Sequence, residues 1–229
     1  MRTEDTRKGI IVMRVVYRGL ALMMVLVSLT SCYVPDKFKA ELRLSRFGDY
    51  ALSFEGDMLY VPILHEYAEN LVPKSEDAQR QENIREDLAR DPAFTEVKPM
   101  GRGRFHVKYL GPIRHGRAGG RLGVNELVTI IRRDVHMLRI KSNPDNQVVI
   151  LSDSIRPTDA QALQQQGLNV QGEFRLTTDG NIIKHNATEV RTMGAYKVYV
   201  WKIDNPLSPM PHAIMIRDID PERSLRDPQ

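Results

Sequence analysis

The stretch Phe38-Lys39-Ala40-Glu41-Leu42-Arg43-Leu44, residues 38 to 44, alternates apolar and charged side chains without a break. Because successive side chains of a strand point to opposite faces, this pattern predicts a strand that buries one face only. Phe47-Gly48-Asp49 has the composition of a turn, and the alternation resumes over residues 50–54. Residues 37–61 are therefore predicted to form a β-hairpin, from which the fold is built.

The rest of the chain adds two or three helices and several more strands. Residues 63–91 have helical periodicity that Pro73 interrupts, and Ser75 is a candidate cap for the second of the two helices. A short helix over 159–166, capped by Thr158, is expected further on. Strands are predicted at 95–97, 102–110, 136–140, 148–151, 197–203 and 213–216, with a further hairpin around Thr178-Asp179-Gly180-Asn181. The sequence therefore predicts an α+β fold with a mainly antiparallel β-sheet.

Residues 1–31 have the features of an export signal that is cleaved. Arg14 and Arg18 precede a mostly apolar run over 19–29, which is too short for the ~20 residues that span a bilayer. The segment Leu29-Thr30-Ser31-Cys32 resembles a bacterial lipobox, in which cleavage precedes the cysteine and its sulfur receives a diacylglycerol. The alternative is an ordinary signal peptide with a chance cysteine. A translation start at Met13 is a separate prediction, because it would leave a compact export signal without Glu4 and Asp5.

The lipobox predicts the organisation and the location of the protein. The expected parts are a lipoprotein signal peptide over 1–31, a single α+β envelope domain over 32–220 and a disordered tail over 221–229. Cys32 is the only cysteine, so the expected role of its sulfur is to carry acyl chains such as palmitate. Tyr33, and not Asp, follows Cys32, which favours the outer membrane over the inner one on the periplasmic side.

The charge of the mature part is close to neutral. The whole chain carries 33 basic and 29 acidic residues, a net +4, and residues 1–31 account for +3 of it. About +1 remains after cleavage, so any electrostatic function depends on local clustering. Nucleic acid is not an expected partner outside the cytoplasm.

Two stretches resemble bacterial envelope lipoproteins of the LppM-like type. They are LARDPAFTEVKPMGRGRFHVKYLG, residues 88–111, and GLNVQGEFRLTTDGNIIKHNA, residues 167–187, with YKVYVWKI at 196–203. The resemblance implies an α+β lipoprotein domain, with lipid or cell-wall binding suspected for some relatives and no catalytic residues. Asn186 and Trp201 stand at its characteristic positions, and we interpret both as structural.

The motifs of common enzymes are incomplete in this chain. His65-Glu66-Tyr67-Ala68-Glu69 lacks the second histidine of a zinc protease helix, and Gly101-Arg102-Gly103-Arg104 lacks the third glycine of a dinucleotide loop. We therefore expect no cofactor, no metal and no catalytic residues. The alternative is an envelope hydrolase whose active site is dispersed along the sequence; a deep pocket holding two carboxylates, or His with Asp or Ser, would favour it.

One basic segment departs from an average surface, because no acidic residue occurs between Glu96 and Glu126. Residues 102, 104, 106 and 108 have a spacing of two, which places them on one face of a strand and predicts an exposed positive stripe. The functional interpretation is a site for an anionic lipid, a glycan or a partner protein, and the alternative is a solvated sheet face. The candidate site residues are Arg102, Arg104, His106, Lys108, Arg114 and Arg117.

Overall fold

The computed structural model describes residues 33–68, 73–114, 126–130, 135–142, 145–152, 155–165 and 169–218. The predicted signal peptide over 1–31, Cys32, Arg117 and the predicted tail over 221–229 lie outside these residues. The helices are α1 (Val61–Ala68), α2 (Lys74–Ala89) and α3 (Pro157–Gln165). The strands are β1 (Tyr33–Leu44), β2 (Tyr50–Tyr60), β3 (Phe94–Gly101), β4 (Arg104–Leu110), β5 (Glu126–Ile130), β6 (Val135–Ser142), β7 (Gln147–Leu151), β8 (Gly172–Thr178), β9 (Asn181–His185), β10 (Glu189–Met193), β11 (Tyr196–Ile203) and β12 (His212–Ile216).

Seven strands form the larger sheet, in the order β10-β11-β8-β1-β2-β4-β3. Its neighbours are antiparallel except for β1 and β8, which run parallel. The predicted hairpin of residues 37–61 is confirmed as β1 and β2, with Leu42 opposite Leu52. The apolar positions of the opening stretch are all buried, since Phe38, Ala40, Leu42 and Leu44 are at most 4% exposed. One face of the sheet is thus the core, and the α+β prediction with mainly antiparallel strands is confirmed.

Five strands form a second sheet, in the order β5-β6-β7-β12-β9. The predicted hairpin of β6 and β7 is confirmed, with Ser142 opposite Val148. The predicted hairpin around residues 178–181 is wrong, because β8 belongs to the first sheet and β9 to the second. The chain changes sheets at Asp179-Gly180, where a Cβ on Gly180 would overlap the side chain of Met215.

The helices begin at slightly different residues from those predicted. Pro73 is the N-cap of α2, without a side-chain cap, so Ser75 lies inside the helix and not at its start. Thr158 likewise lies inside α3, which begins at Pro157. α2 is mostly exposed but buries Gln81 and Leu88. No helix among the described residues is long and apolar enough to cross a membrane.

Asn186 and Trp201 connect the two sheets. Trp201 is 1% exposed and donates its indole N–H to the Asn186 Oδ1 at 2.7 Å. The same oxygen accepts the backbone N–H of His212 at 2.9 Å, and the Asn186 amide donates to the carbonyl of Met210 at 2.9 Å. These contacts give both residues a structural role, in agreement with our interpretation of the sequence.

Arg217 is the unusual residue of the second sheet. It directly follows β12 and is only 5% exposed, yet its Nε and Nη1 atoms have no hydrogen-bond partner among the described residues. Burial lowers the pKa of its guanidinium, because removal from water disfavours the charged form. A buried guanidinium with two unsatisfied nitrogens costs stability.

Candidate functional site

The second face of the seven-stranded sheet is polar and carries the predicted basic residues. Phe105 and Val107 of β4 are fully buried against the core, whereas Arg104, His106 and Lys108 point to the opposite face. Their side chains are 29%, 33% and 45% exposed. The predicted alternation is therefore correct for these three positions, but Arg104 and His106 are less exposed than expected.

Arg102 does not belong to the strand. β3 ends at Gly101 and β4 begins at Arg104, so Arg102 and Gly103 form a two-residue turn with φ of +54° and +73°. Both angles positive are typical of a type I′ hairpin turn, which suits the right-handed twist of paired strands. The predicted strand over 102–110 therefore began two residues too early. The stripe thus contains three strand residues, with Arg102 at its end.

Two buried aspartates neutralise the beginning of the stripe. Asp57 of β2 lies opposite His106, and its carboxylate is 3.1 Å from His106 Nδ1 and 3.3 Å from Arg104 Nη1. Asp36 of β1 lies opposite Asp57 and is 3.8 Å from the same Arg104 nitrogen. Asp36 also accepts the backbone N–H of Gln171 at 3.1 Å. Replacing Arg104 would leave two buried carboxylates without their shared cation.

A row of alternating positive and negative residues crosses the polar face of the sheet at the level of Lys108. The registers place six residues side by side across six neighbouring strands, from β11 to β3. We call this row the charge ladder, and in order across the sheet it consists of Lys202, Glu173, Lys39, Glu55, Lys108 and Glu96. Lys108 Nζ is 3.3 Å from Glu55 and 3.9 Å from Glu96. Because each lysine has a glutamate beside it, the ladder carries no net charge.

The pKa values near the ladder follow from these contacts. A hydrogen bond from Lys98 lowers the pKa of the Glu96 carboxyl, and the charges of Lys108 and His106 lower it further. Burial raises the pKa of Tyr109, Asp91 adds to the increase, and Arg114 opposes it. Glu96 therefore stays ionised well below neutral pH and keeps the end of the ladder balanced.

A depression of about 270 Å³ lies along the polar face. Its charged lining includes Lys39, Glu41, Glu55, Lys108 and Arg175. Asp57 and His106 do not line it. It presents cations and carboxylates together, which suits a ligand with both hydrogen-bond donors and acceptors better than a simple anion.

The remaining predicted residues lie apart from one another. Arg102 and Arg114 are exposed, and neither forms an ion pair within the part of the chain that the structure describes. Arg114 pairs through its backbone with Tyr50, beyond the far end of β4 from Arg102. The seven residues of β4 separate the two by roughly 20 Å at 3.3 Å per residue. The predicted residues that the structure describes therefore do not form one continuous cationic patch.

The structure contributes acidic residues that the sequence analysis missed. Asp57 and Glu55 occupy alternate positions of β2, which was a signal that they share a face. The pairing of β2 with β4 was not detectable from local pattern, because two helices separate them in the chain. Among the described residues no group of three or more His, Cys, Asp or Glu could hold a metal ion.

Comparisons with known proteins leave the family open. No family model and no curated protein matches the chain. Among solved structures, the NMR structure of the folded domain of LppM from Mycobacterium tuberculosis is similar, with a TM-score of 0.43 and 12% identity. The match covers 83% of this chain and 95% of that one. This likeness is weak and carries no argument about function, so the LppM-like pattern in the sequence stays a resemblance.

Proposed function

We propose that this chain is a lipid-anchored protein of the bacterial envelope that binds a membrane component or a partner protein and is not an enzyme. The observation that carries the proposal is that β1 begins at Tyr33, directly after the lipobox cysteine, and that Tyr33 is 6% exposed. A lipid on Cys32 would therefore be joined to the sheet without a linker. Two or more acyl chains give stable anchoring, so the domain would stay at the bilayer surface.

Different parts of the polar face suit different candidates among the three proposed ligands, the anionic lipid, the glycan and the partner protein. Its depression offers both signs of charge, which fits the hydroxyl groups of a glycan or the mixed surface of a partner protein. Of the predicted site residues that the structure describes, Arg102 and Arg114 are exposed and have no ion pair with another described residue, and they fit an anionic lipid. The rest of the basic stripe is balanced by its own carboxylates.

The test of the anchor is metabolic labelling with a palmitate analogue followed by fractionation of the envelope. We expect the wild type to be labelled and membrane-bound, chiefly at the outer membrane, and Cys32→Ala to be neither. A labelled, membrane-bound Cys32→Ala variant would refute the anchor. Chemical crosslinking of the lipidated protein in its own envelope, followed by mass spectrometry, then identifies the partner.

One observation favours the alternative, an envelope hydrolase. The 3.1 Å contact between Asp57 and His106 is the pairing that orients a general base in many hydrolases. Within the described residues, however, His106 makes no hydrogen bond to a serine or threonine. Labelling of the wild type by a fluorophosphonate probe, lost in His106→Gln, would establish the hydrolase; absence of labelling supports the binding protein.

A further inference from the structure

The first residue of β1 and the β3–β4 turn lie at the same end of the seven-stranded sheet. Tyr33 is opposite Tyr60, and the Tyr60 N–H donates to the carbonyl of Gly103 at 2.8 Å. Neighbouring strands are about 4.8 Å apart, so Tyr33 and Gly103 are separated by roughly 10 Å. Tyr33 directly follows Cys32 in the sequence, so a lipid on Cys32 would be attached to the end of the sheet that holds the turn.

The turn exposes a cation and an apolar side chain. Met100 is 56% exposed, and Arg102 is exposed with its guanidinium 5.8 Å from the centre of the Tyr67 ring. A positive φ at Arg102 is uncommon for a residue other than glycine, asparagine or aspartate. A Cβ on Gly103 would overlap Ile63 of α1, so the turn is packed tightly against that helix. The backbone that carries Met100 and Arg102 is therefore fixed by packing against α1.

At the opposite end of the sheet, the arginine of the turn is paired with carboxylates. In the β1–β2 turn, Arg46 is 3.7 Å from Asp179 and 4.0 Å from Asp218. That end therefore presents carboxylates together with its cation, whereas Arg102 has no carboxylate partner among the described residues. The charge of Arg102 is therefore available to a negatively charged surface.

We propose that the β3–β4 turn, through Arg102 and Met100, lies on the headgroups of an anionic leaflet beside the lipid on Cys32. The proposal rests on the anchoring proposed above and adds an orientation to it. Electrostatic attraction to an anionic membrane fades within a Debye length of about 8 Å, so only a basic residue held close to the surface contributes. Exposed methionine adds apolar area that can enter the boundary between headgroups and acyl chains.

The experiment uses the full lipidated protein in phosphatidylglycerol and phosphatidylethanolamine vesicles that contain a nitroxide-headgroup lipid. A fluorophore is attached to Met100→Cys or, as a matched control, to Ala195→Cys in the exposed β10–β11 turn at the other end of the sheet. The introduced cysteine is the only free thiol if Cys32 is lipidated. We expect several-fold stronger quenching at position 100 than at position 195.

Charge reversals then identify the residue responsible. Arg102→Glu should reduce the quenching at position 100, high salt should do the same, and Arg114→Glu should leave it unchanged. Protein that floats with the vesicles but is quenched equally at both positions overturns the orientation and leaves the anchor standing. Protein that carries no lipid and does not float overturns both the anchor and the orientation.

Discussion

The charge ladder makes a prediction about Lys39. Lys39 lies between Glu173 of β8 and Glu55 of β2, so Lys39→Glu would place three carboxylates side by side. Lys37 is the matched control, since it is exposed in the same strand, at a bulge where the β1–β2 register shifts. Both substitutions reverse one exposed lysine, but only the first disturbs the ladder.

The magnitude follows from the number of cross-strand neighbours. Opposite charges on facing strands contribute roughly 0.2–1 kcal/mol per pair, and like charges destabilise by similar amounts. Lys39→Glu replaces two favourable pairs by two unfavourable ones, so the free energy of unfolding should fall by about 1–3 kcal/mol. Lys37→Glu should change it by no more than about 0.5 kcal/mol, as surface substitutions usually do.

Urea unfolding followed by the fluorescence of Trp201 measures both changes, since Trp201 is the only tryptophan and is buried. The double variant Lys39→Glu/Glu55→Lys should recover little of the loss, because it restores the opposite pair between positions 39 and 55 but replaces the ion pair of Glu55 with Lys108 by two like charges. The difference between the variants at positions 39 and 37 should shrink in about 1 M salt, where the Debye length is ~3 Å. Equal effects at the two positions, or no dependence on salt, would refute the ladder as a source of stability.

Three further changes test the packing. Gly103→Ala should lower the free energy of unfolding by about 2–5 kcal/mol, because it combines a positive φ with overpacking. Gly101→Ala should lower it by only about 1–2 kcal/mol, because a Cβ at that position meets nothing within 4 Å. Urea titrations compare the two variants, and equal losses would contradict the tight packing at Gly103. Asn186→Ala leaves the indole N–H of Trp201 buried without this acceptor and should lower the free energy of unfolding by about 1–3 kcal/mol. Thermal unfolding should then show a melting temperature lower by several degrees, and an unchanged melting temperature would contradict this prediction. Arg217→Met should stabilise the protein by about 1–3 kcal/mol, because it removes a buried guanidinium with two nitrogens that no described residue satisfies, and it keeps apolar volume. Calorimetry measures the change, and a loss of stability would contradict the reasoning.

Local pattern was sufficient where a strand pairs with its neighbour in sequence. The alternation of residues 38–44 identified the buried face of β1, and the turn at residues 47–49 identified its partner β2. The same reasoning failed at Thr178-Asp179-Gly180-Asn181, which has the composition of a hairpin turn. There the chain crosses between sheets because β8 pairs with β1 and β11, and β9 pairs with β12. Those partners are distant in sequence, so no local signal identifies them.

The charge balance of the candidate site also depends on residues that are distant in sequence. The basic residues of β4 were visible in the sequence as a run without acidic neighbours. Their neutralising partners come from β1 and β2, which lie more than forty residues earlier: Asp57 is 47 residues before Arg104. A positive stripe in the sequence is thus part of a neutral face in the folded protein. Arg102 differs because the turn projects it beyond the strands that carry those carboxylates.

The proposed function depends on Cys32 being the lipid-modified first residue of the mature protein. Mass spectrometry of the N-terminal peptide from membrane-purified protein tests this, because it reports the cleavage site and the modification in one spectrum. We expect a peptide that begins at Cys32 and carries a diacylglycerol on the sulfur. A mature N-terminus at any other residue, or an unmodified Cys32 in membrane-bound protein, would contradict it.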